Sequence, residues 1–139
     1  MTTSIFKNTA LAVLSLASLS LCSCGTNSIP AKGYKKFKNY ISTLLDANGY
    51  SKNAMKYSSC SYVWITGDGS QAAGILKDCV CYQIYGSLNI NGFVKPILTY
   101  ALYSDIDGTV GEMEDSTTYN QALMLVNGGY LSGKTGTLK

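Results

Sequence analysis

The chain has 139 residues, 11 lysines against 8 acidic residues and a formal charge of +3, with neither arginine nor histidine. So slight a positive charge points to no nucleic-acid partner. The missing residue types remove bidentate guanidinium recognition, the Ser-His and Cys-His triads and most catalytic zinc sites, while eleven Tyr beside little charge favour a sheet-rich body.

Lys7 precedes an uncharged run from Thr9 to Leu21, and small residues follow it, in the order of a secretory signal. The run is shorter than the ~20 residues needed to cross a bilayer core, so residues 1–23 are set aside as an export signal. Leu21-Cys22-Ser23-Cys24 closes it. This tetrad resembles the lipobox of bacterial lipoprotein precursors, in which a leucine, a tolerated residue and a small residue precede the modified cysteine. The resemblance implies that the thiol of Cys24 is diacylated, with palmitate-type chains, that the chain is cut before it, and that the new amino terminus is acylated too. Cys22 is the weaker candidate, because Leu21 would then stand before the cut, where the family has a small side chain. Two or three acyl chains anchor stably where one binds only marginally, at ~0.8 kcal/mol per buried methylene. The same likeness implies a bacterial cell envelope. Gly25 stands where aspartate would retain the protein at the inner membrane, which makes the outer membrane, facing the periplasm, the expected address.

With Cys24 assigned to the anchor, Cys60, Cys79 and Cys81 remain. In an oxidising envelope three thiols predict one disulfide and one leftover, with Cys60 bridged to Cys79 or Cys81. A Cys79–Cys81 bridge is disfavoured, because the two side chains project the same way from a strand. A three-thiolate site for Cu(I) or zinc is the alternative, supported only by the Cys79-Val80-Cys81 spacing. No cofactor or metal is expected.

Residues 24–30 form a short polar tether. From Ala31 to Asn48, Tyr34, Phe37, Tyr40, Ile41, Leu44 and Leu45 recur at the spacing of one buried helical face, with Asn48-Gly49 as the stop. Lys32, Lys35, Lys36 and Lys38 crowd the first turns. A solvated face is the ordinary reading, and contact with anionic lipid head groups is the sharper one, given the nearby anchor. Tyr57 to Thr66 alternates as a strand and ends in a Gly67-Asp68-Gly69-Ser70 turn, whereas residues 71–77 fit a strand or a helical turn. Cys79 to Ser104 is a hairpin about Asn89-Ile90-Asn91-Gly92. A two-residue Asn91-Gly92 turn would set Lys95 and Thr99 on the apolar face of the first arm. A three-residue loop, Ile90-Asn91-Gly92, is therefore expected, aligning Val80 with Leu102, Tyr82 with Tyr100 and Ile84 with Leu98, and setting Gly86 opposite Pro96. Thr109 to Met113 adds a short edge strand, Ser116 caps a helix from Thr117 to Val126, and residues 131–139 form a flexible tail. The expected fold is one α+β domain over residues 31–130: an N-terminal amphipathic helix packed on a three- to four-stranded antiparallel meander, with a short helix near the C-terminus.

Three motifs imitate chemistry. Gly128 to Thr135 spells the Walker A pattern, but a P-loop needs a strand before it and a helix after it, and Gly136–Lys139 is too short for that helix, so no nucleotide site is expected. Ser87-Leu88-Asn89 and Lys134-Thr135-Gly136 imitate elements of penicillin-binding proteins, whose Ser-x-x-Lys nucleophile has its only counterpart at Ser4–Lys7 in the export signal. Asp105, Asp107, Glu112, Glu114 and Asp115 lack the glycine and glutamate of an EF-hand at Val110 and Ser116. The expected function is a lipid-anchored module that binds a protein or glycan partner without catalysis. The alternatives are a small envelope enzyme using carboxylates or a Cys nucleophile, with Lys77 the cation nearest Cys79 in sequence, or a thiol-based metal binder.

Overall fold

Bulky residues occupy both faces of the long strands, and a sheet with two apolar faces must be covered twice. The computed structural model describes residues 14–15, 28–66 and 78–139. The expected lipobox with Cys24, the rest of the expected export signal apart from Leu14–Ser15, and the connection 67–77 lie outside them. The elements in chain order are β1 (Leu14–Ser15), α1 (Ile29–Ala47), a single 3-10 turn (Lys52–Ala54), β2 (Met55–Ile65), β3 (Cys79–Ile90), β4 (Phe93–Ser104), β5 (Thr109–Met113), α2 (Thr117–Asn127) and β6 (Gly133–Leu138). All strand pairs are antiparallel, in the order β1-β5-β4-β3-β2-β6, so the fold is α+β with two helices.

α1 begins earlier than its periodicity suggests. The Ser28 hydroxyl accepts from the Ala31 N–H at 3.2 Å, and Pro30, whose fixed φ suits the first turn, is buried. Ile29 and Pro30 therefore belong to the helix rather than to a tether. At the other end the Asn48 side-chain amide donates to the Leu44 carbonyl at 2.7 Å, Gly49 takes φ 81°, and the Tyr50 N–H returns to the Leu45 carbonyl at 2.8 Å.

The β3–β4 hairpin corrects the expected register. Asn91 and Gly92 have φ of 54° and 89°, the signature of a two-residue type I′ turn, and Ile90 pairs with Phe93. Val80 then lies opposite Tyr103, Tyr82 opposite Ala101 and Ile84 opposite Thr99. Gly86 faces Ile97, not Pro96, and its need for glycine comes from the other side: a bulge between Tyr57 and Ser59 in β2 brings the Lys56 carbonyl into the space of a Cβ. The cost that argued against this register is met by a partner. Thr99 is indeed buried on the apolar face, and its hydroxyl donates to the Glu112 carboxylate of β5 at 2.7 Å.

That register sorts the core into two layers. Under α1 lie Tyr34, Phe37, Ile41 and Leu45 of the helix with Cys60, Val80, Tyr82, Ile84, Ile97, Ala101, Tyr103 and Val110 of the sheet. On the opposite face, Tyr119 and Ala122 of α2 pack with Val63, Ile65, Cys81 and Tyr100. α2 is capped by the Asp115 carboxylate, which accepts from the Thr117 N–H at 2.9 Å, while the Ser116 side chain makes no capping bond.

The segment expected as a flexible tail is a strand. β6 pairs with β2 from Cys60–Leu138 to Ile65–Gly133. Its glycines follow from close approach rather than looseness: a Cβ at Gly136 would meet the Tyr62 ring, and one at Gly133 the Trp64 carbonyl. The strand β5 is found where expected but does not form the edge of the sheet, because Leu14–Ser15 pairs antiparallel along its outer side.

Two variants test this packing. Gly33 in α1 faces the Tyr82 hydroxyl, which donates to the Pro30 carbonyl at 2.7 Å, and the Tyr103 ring, both where a Cβ would go. Helix propensity alone would make Gly33→Ala stabilising by ~1 kcal/mol. Overpacking reverses the sign, and thermal unfolding should show a loss of about 1–3 kcal/mol. Thr99→Val, nearly isosteric, strands the Glu112 carboxylate and should cost ~1–3 kcal/mol in urea unfolding, whereas unchanged stability would contradict the register.

Candidate functional site

Cys60, Cys79 and Cys81 form no disulfide among the described residues, and all three are buried. Cys60, opposite Ile84, points to the α1 side, whereas Cys79 and Cys81, opposite Ile65 and Val63, point to the α2 side. The expected bridge from Cys60 is therefore not made, because the sheet stands between the partners. Burial pushes Cys60 and Cys81 up to about 12 and Cys79 up to about 11, the last with help from the Asp78 and Asp107 carboxylates. An activated thiolate requires the opposite shift. Among the described residues no group of three metal-ligating side chains gathers.

The acidic residues are divided in the same way. Glu112 is buried against Thr99, while Asp107 accepts from the N–H and hydroxyl of Thr109, which hold its carboxyl below the usual range. Asp115, also held low, caps α2. These bonds serve local structure.

Of the four lysines Lys32, Lys35, Lys36 and Lys38 in the first turns of α1, two fold back onto the protein. Lys38 stands over the Tyr34 ring at 4.3 Å and the Tyr57 ring at 5.7 Å. Lys36 donates to the Gly108 carbonyl at 3.3 Å and lies over Tyr103 at 5.9 Å, with burial pulling its ammonium below the usual range. Lys32 and Lys35 stay exposed. The Walker-like run is the end of α2, a turn and the start of β6, with Lys134 at 5.7 Å over the Trp64 ring. A strand thus occupies the place of the helix that a phosphate would need. No described helix is long and apolar enough to cross a membrane.

What remains is one end of the sheet. Beside the β3–β4 turn, Phe93 is 81 % exposed and Val94 65 %. Next to them opens a groove of about 340 Å³. One wall is the α1–β2 connection, with Gly49, Tyr50, Ser51 and Asn53, and the other is the hairpin tip, with Asn89, Ile90 and Asn91; buried Ala54 completes the lining. No charged side chain lines it. In sequence Asn48-Gly49 and Asn91-Gly92 are turn signals, and nothing in either segment shows that they meet; Tyr50 and Asn53 carry no signal at all.

Compared with known proteins, the chain matches no family model, no curated protein and no solved structure. Its functional reading rests on its own residues.

The buried thiols and phenols make an alkaline prediction. Each of Cys60, Cys79 and Cys81 is raised from the ordinary thiol value of 9.0, and burial also raises Tyr34 and Tyr103 to about 12. The unfolded chain therefore loses these protons first, and the stability they contribute is fully present below pH 9.0 and lost as pH rises toward about 12. Urea unfolding should show this decline, and a thiol reagent at neutral pH should label the native protein far more slowly than the unfolded chain. Rapid labelling of any one of the three in the native state would contradict the arrangement.

Proposed function

We propose that this protein is an exported lipoprotein of a bacterial cell envelope, anchored through acyl chains on Cys24, that binds a protein or glycan partner without catalysis. The observation that carries the binding reading is the exposure of Phe93 and Val94 on a type I′ tip beside the groove. Apolar side chains held out by a rigid turn lose water on contact with a partner and contribute nothing to their own fold. The buried thiols, and the local hydrogen bonds that engage Glu112, Asp107 and Asp115, favour a binding surface over a Cys or carboxylate centre.

The lipobox supplies the anchor, and an outer-membrane, periplasm-facing position follows from Gly25 by analogy with the lipoprotein family. Ser28 already caps α1, so little chain separates Cys24 from the folded body. Exposed Lys32 and Lys35 are then the lysines available to anionic head groups, in contrast to Lys36 and Lys38, which their aromatic rings engage.

Fractionation of cells producing Cys24→Ala tests the anchor: palmitate labelling and membrane retention should both disappear, and a processed variant still bound to membranes would overturn it. A photo-crosslinking residue at Phe93, compared with one at exposed Asn127 on α2, tests the binding end. Adducts are expected at Phe93 alone, and equal yields at both positions would remove the hairpin tip as the contact surface.

A further inference from the structure

We propose that the groove between the α1–β2 connection and the hairpin tip is a binding site for a neutral saccharide of one or two pyranose rings. The proposal rests on the binding-module reading and names the ligand class of that surface.

The lining selects this chemistry. Asn53, Asn89 and Asn91 bring three carboxamides and Ser51 a hydroxyl to a lining that also holds Ile90 and the half-exposed Tyr50. Each carboxamide offers a donor and an acceptor on one rigid plane, which matches the paired donor and acceptor character of neighbouring sugar hydroxyls or of an acetamido group. The aromatic face and the isoleucine suit the C–H face of a pyranose ring. An anionic ligand would require cations, which the lining lacks, and an apolar ligand would strand the amides. A volume of about 340 Å³ lies at the small end of ligand sites, the size of a sugar unit or two rather than of a folded partner.

The walls are also set before any ligand arrives. The Tyr50 N–H is tied to the Leu45 carbonyl at 2.8 Å, the Asn53 N–H to the Ser51 hydroxyl at 3.0 Å and the Gly92 N–H to the Asn89 side-chain oxygen at 3.0 Å. Asn53 enters its bond through the backbone, and Asn89 through its oxygen, so the amide of the first and the NH₂ of the second remain for a ligand. A preformed site loses little entropy on binding, which lets a small neutral ligand bind at all, though weakly.

The test uses the mature acylated protein in lipid nanodiscs, with cellobiose and N,N′-diacetylchitobiose as probes and empty nanodiscs as the blank. Saturation-transfer NMR should show magnetisation reaching the ring protons of one or both probes, with saturable binding. Tyr50→Ala and Asn53→Ala should each weaken it about tenfold, equivalent to ~1.4 kcal/mol, while Tyr130→Ala, exposed elsewhere, should leave it unchanged. Response to both probes or to the acetylated one alone supports the site and defines its amide preference. No transfer to either, or transfer undiminished by Tyr50→Ala in a variant with an unchanged melting curve, overturns it. Such a failure leaves the Phe93 crosslinking result standing, so the saccharide assignment and the binding-module reading fall separately.

Discussion

The register of one hairpin decides which side of the sheet each residue of β4 faces, and through it the content of both cores. Asn91 and Gly92 accept positive φ, the turn closes in two residues, and Ile90 meets Phe93. A slip of one position would turn Ile97, Ala101 and Tyr103 away from α1 and send Leu98, Tyr100 and Leu102 to meet it. The register is held at a distance by a polar contact, Thr99 to Glu112, that satisfies the one hydroxyl it forces into the apolar layer. β5 thereby supports the pairing of β3 with β4 as well as extending the sheet.

Coverage of both faces follows from strands that are apolar on two sides. α1 can lie close because Gly33 has no side chain, and Tyr82 then reaches the Pro30 carbonyl to lock the first turn of the helix to the middle of β3. The tyrosines that favour a sheet-rich body are in large part core residues: Tyr34, Tyr40, Tyr82, Tyr100, Tyr103 and Tyr119 are all buried. Tyrosine can serve there because a buried phenol needs only one partner, and the Tyr82 hydroxyl has found it in the second lone pair of the Pro30 carbonyl. The same coverage seals the thiols, which lack the exposure that reactivity requires, and at Cys60 burial outweighs the nearby Lys38 ammonium.

α1 also leads the chain to the groove. Its first residue follows shortly after Cys24, and its last turn opens through Asn48 and Gly49 into the groove wall. With 19 residues, the helix separates its two ends by roughly 28 Å at ~1.5 Å per residue. The groove therefore lies at the far end of α1 from Ser28.

Periodicity and turn chemistry in the chain itself determined α1, β2, β5 and α2, since a 3.6-residue or two-residue repeat is a local property that packing only has to accept. They also marked Asn91-Gly92 as a turn. The loop length was beyond their reach, because the two-residue solution looks costly until Glu112, on another strand, takes the Thr99 hydroxyl. β6 was hidden for a related reason: Gly133 and Gly136 resemble a loose tail until the Trp64 carbonyl and the Tyr62 ring are seen to fill the space of their side chains. The cysteine pairing failed because spacing says nothing about which face of a sheet a distant strand presents. The groove belongs wholly to the tertiary structure, since neither of its walls carries a ligand signature and only the docking of α1 across the sheet brings Tyr50 and Asn53 to the hairpin tip. What sequence determines here is what neighbours along the chain enforce, and what the fold decides is where the partner of a polar or small residue lies across space.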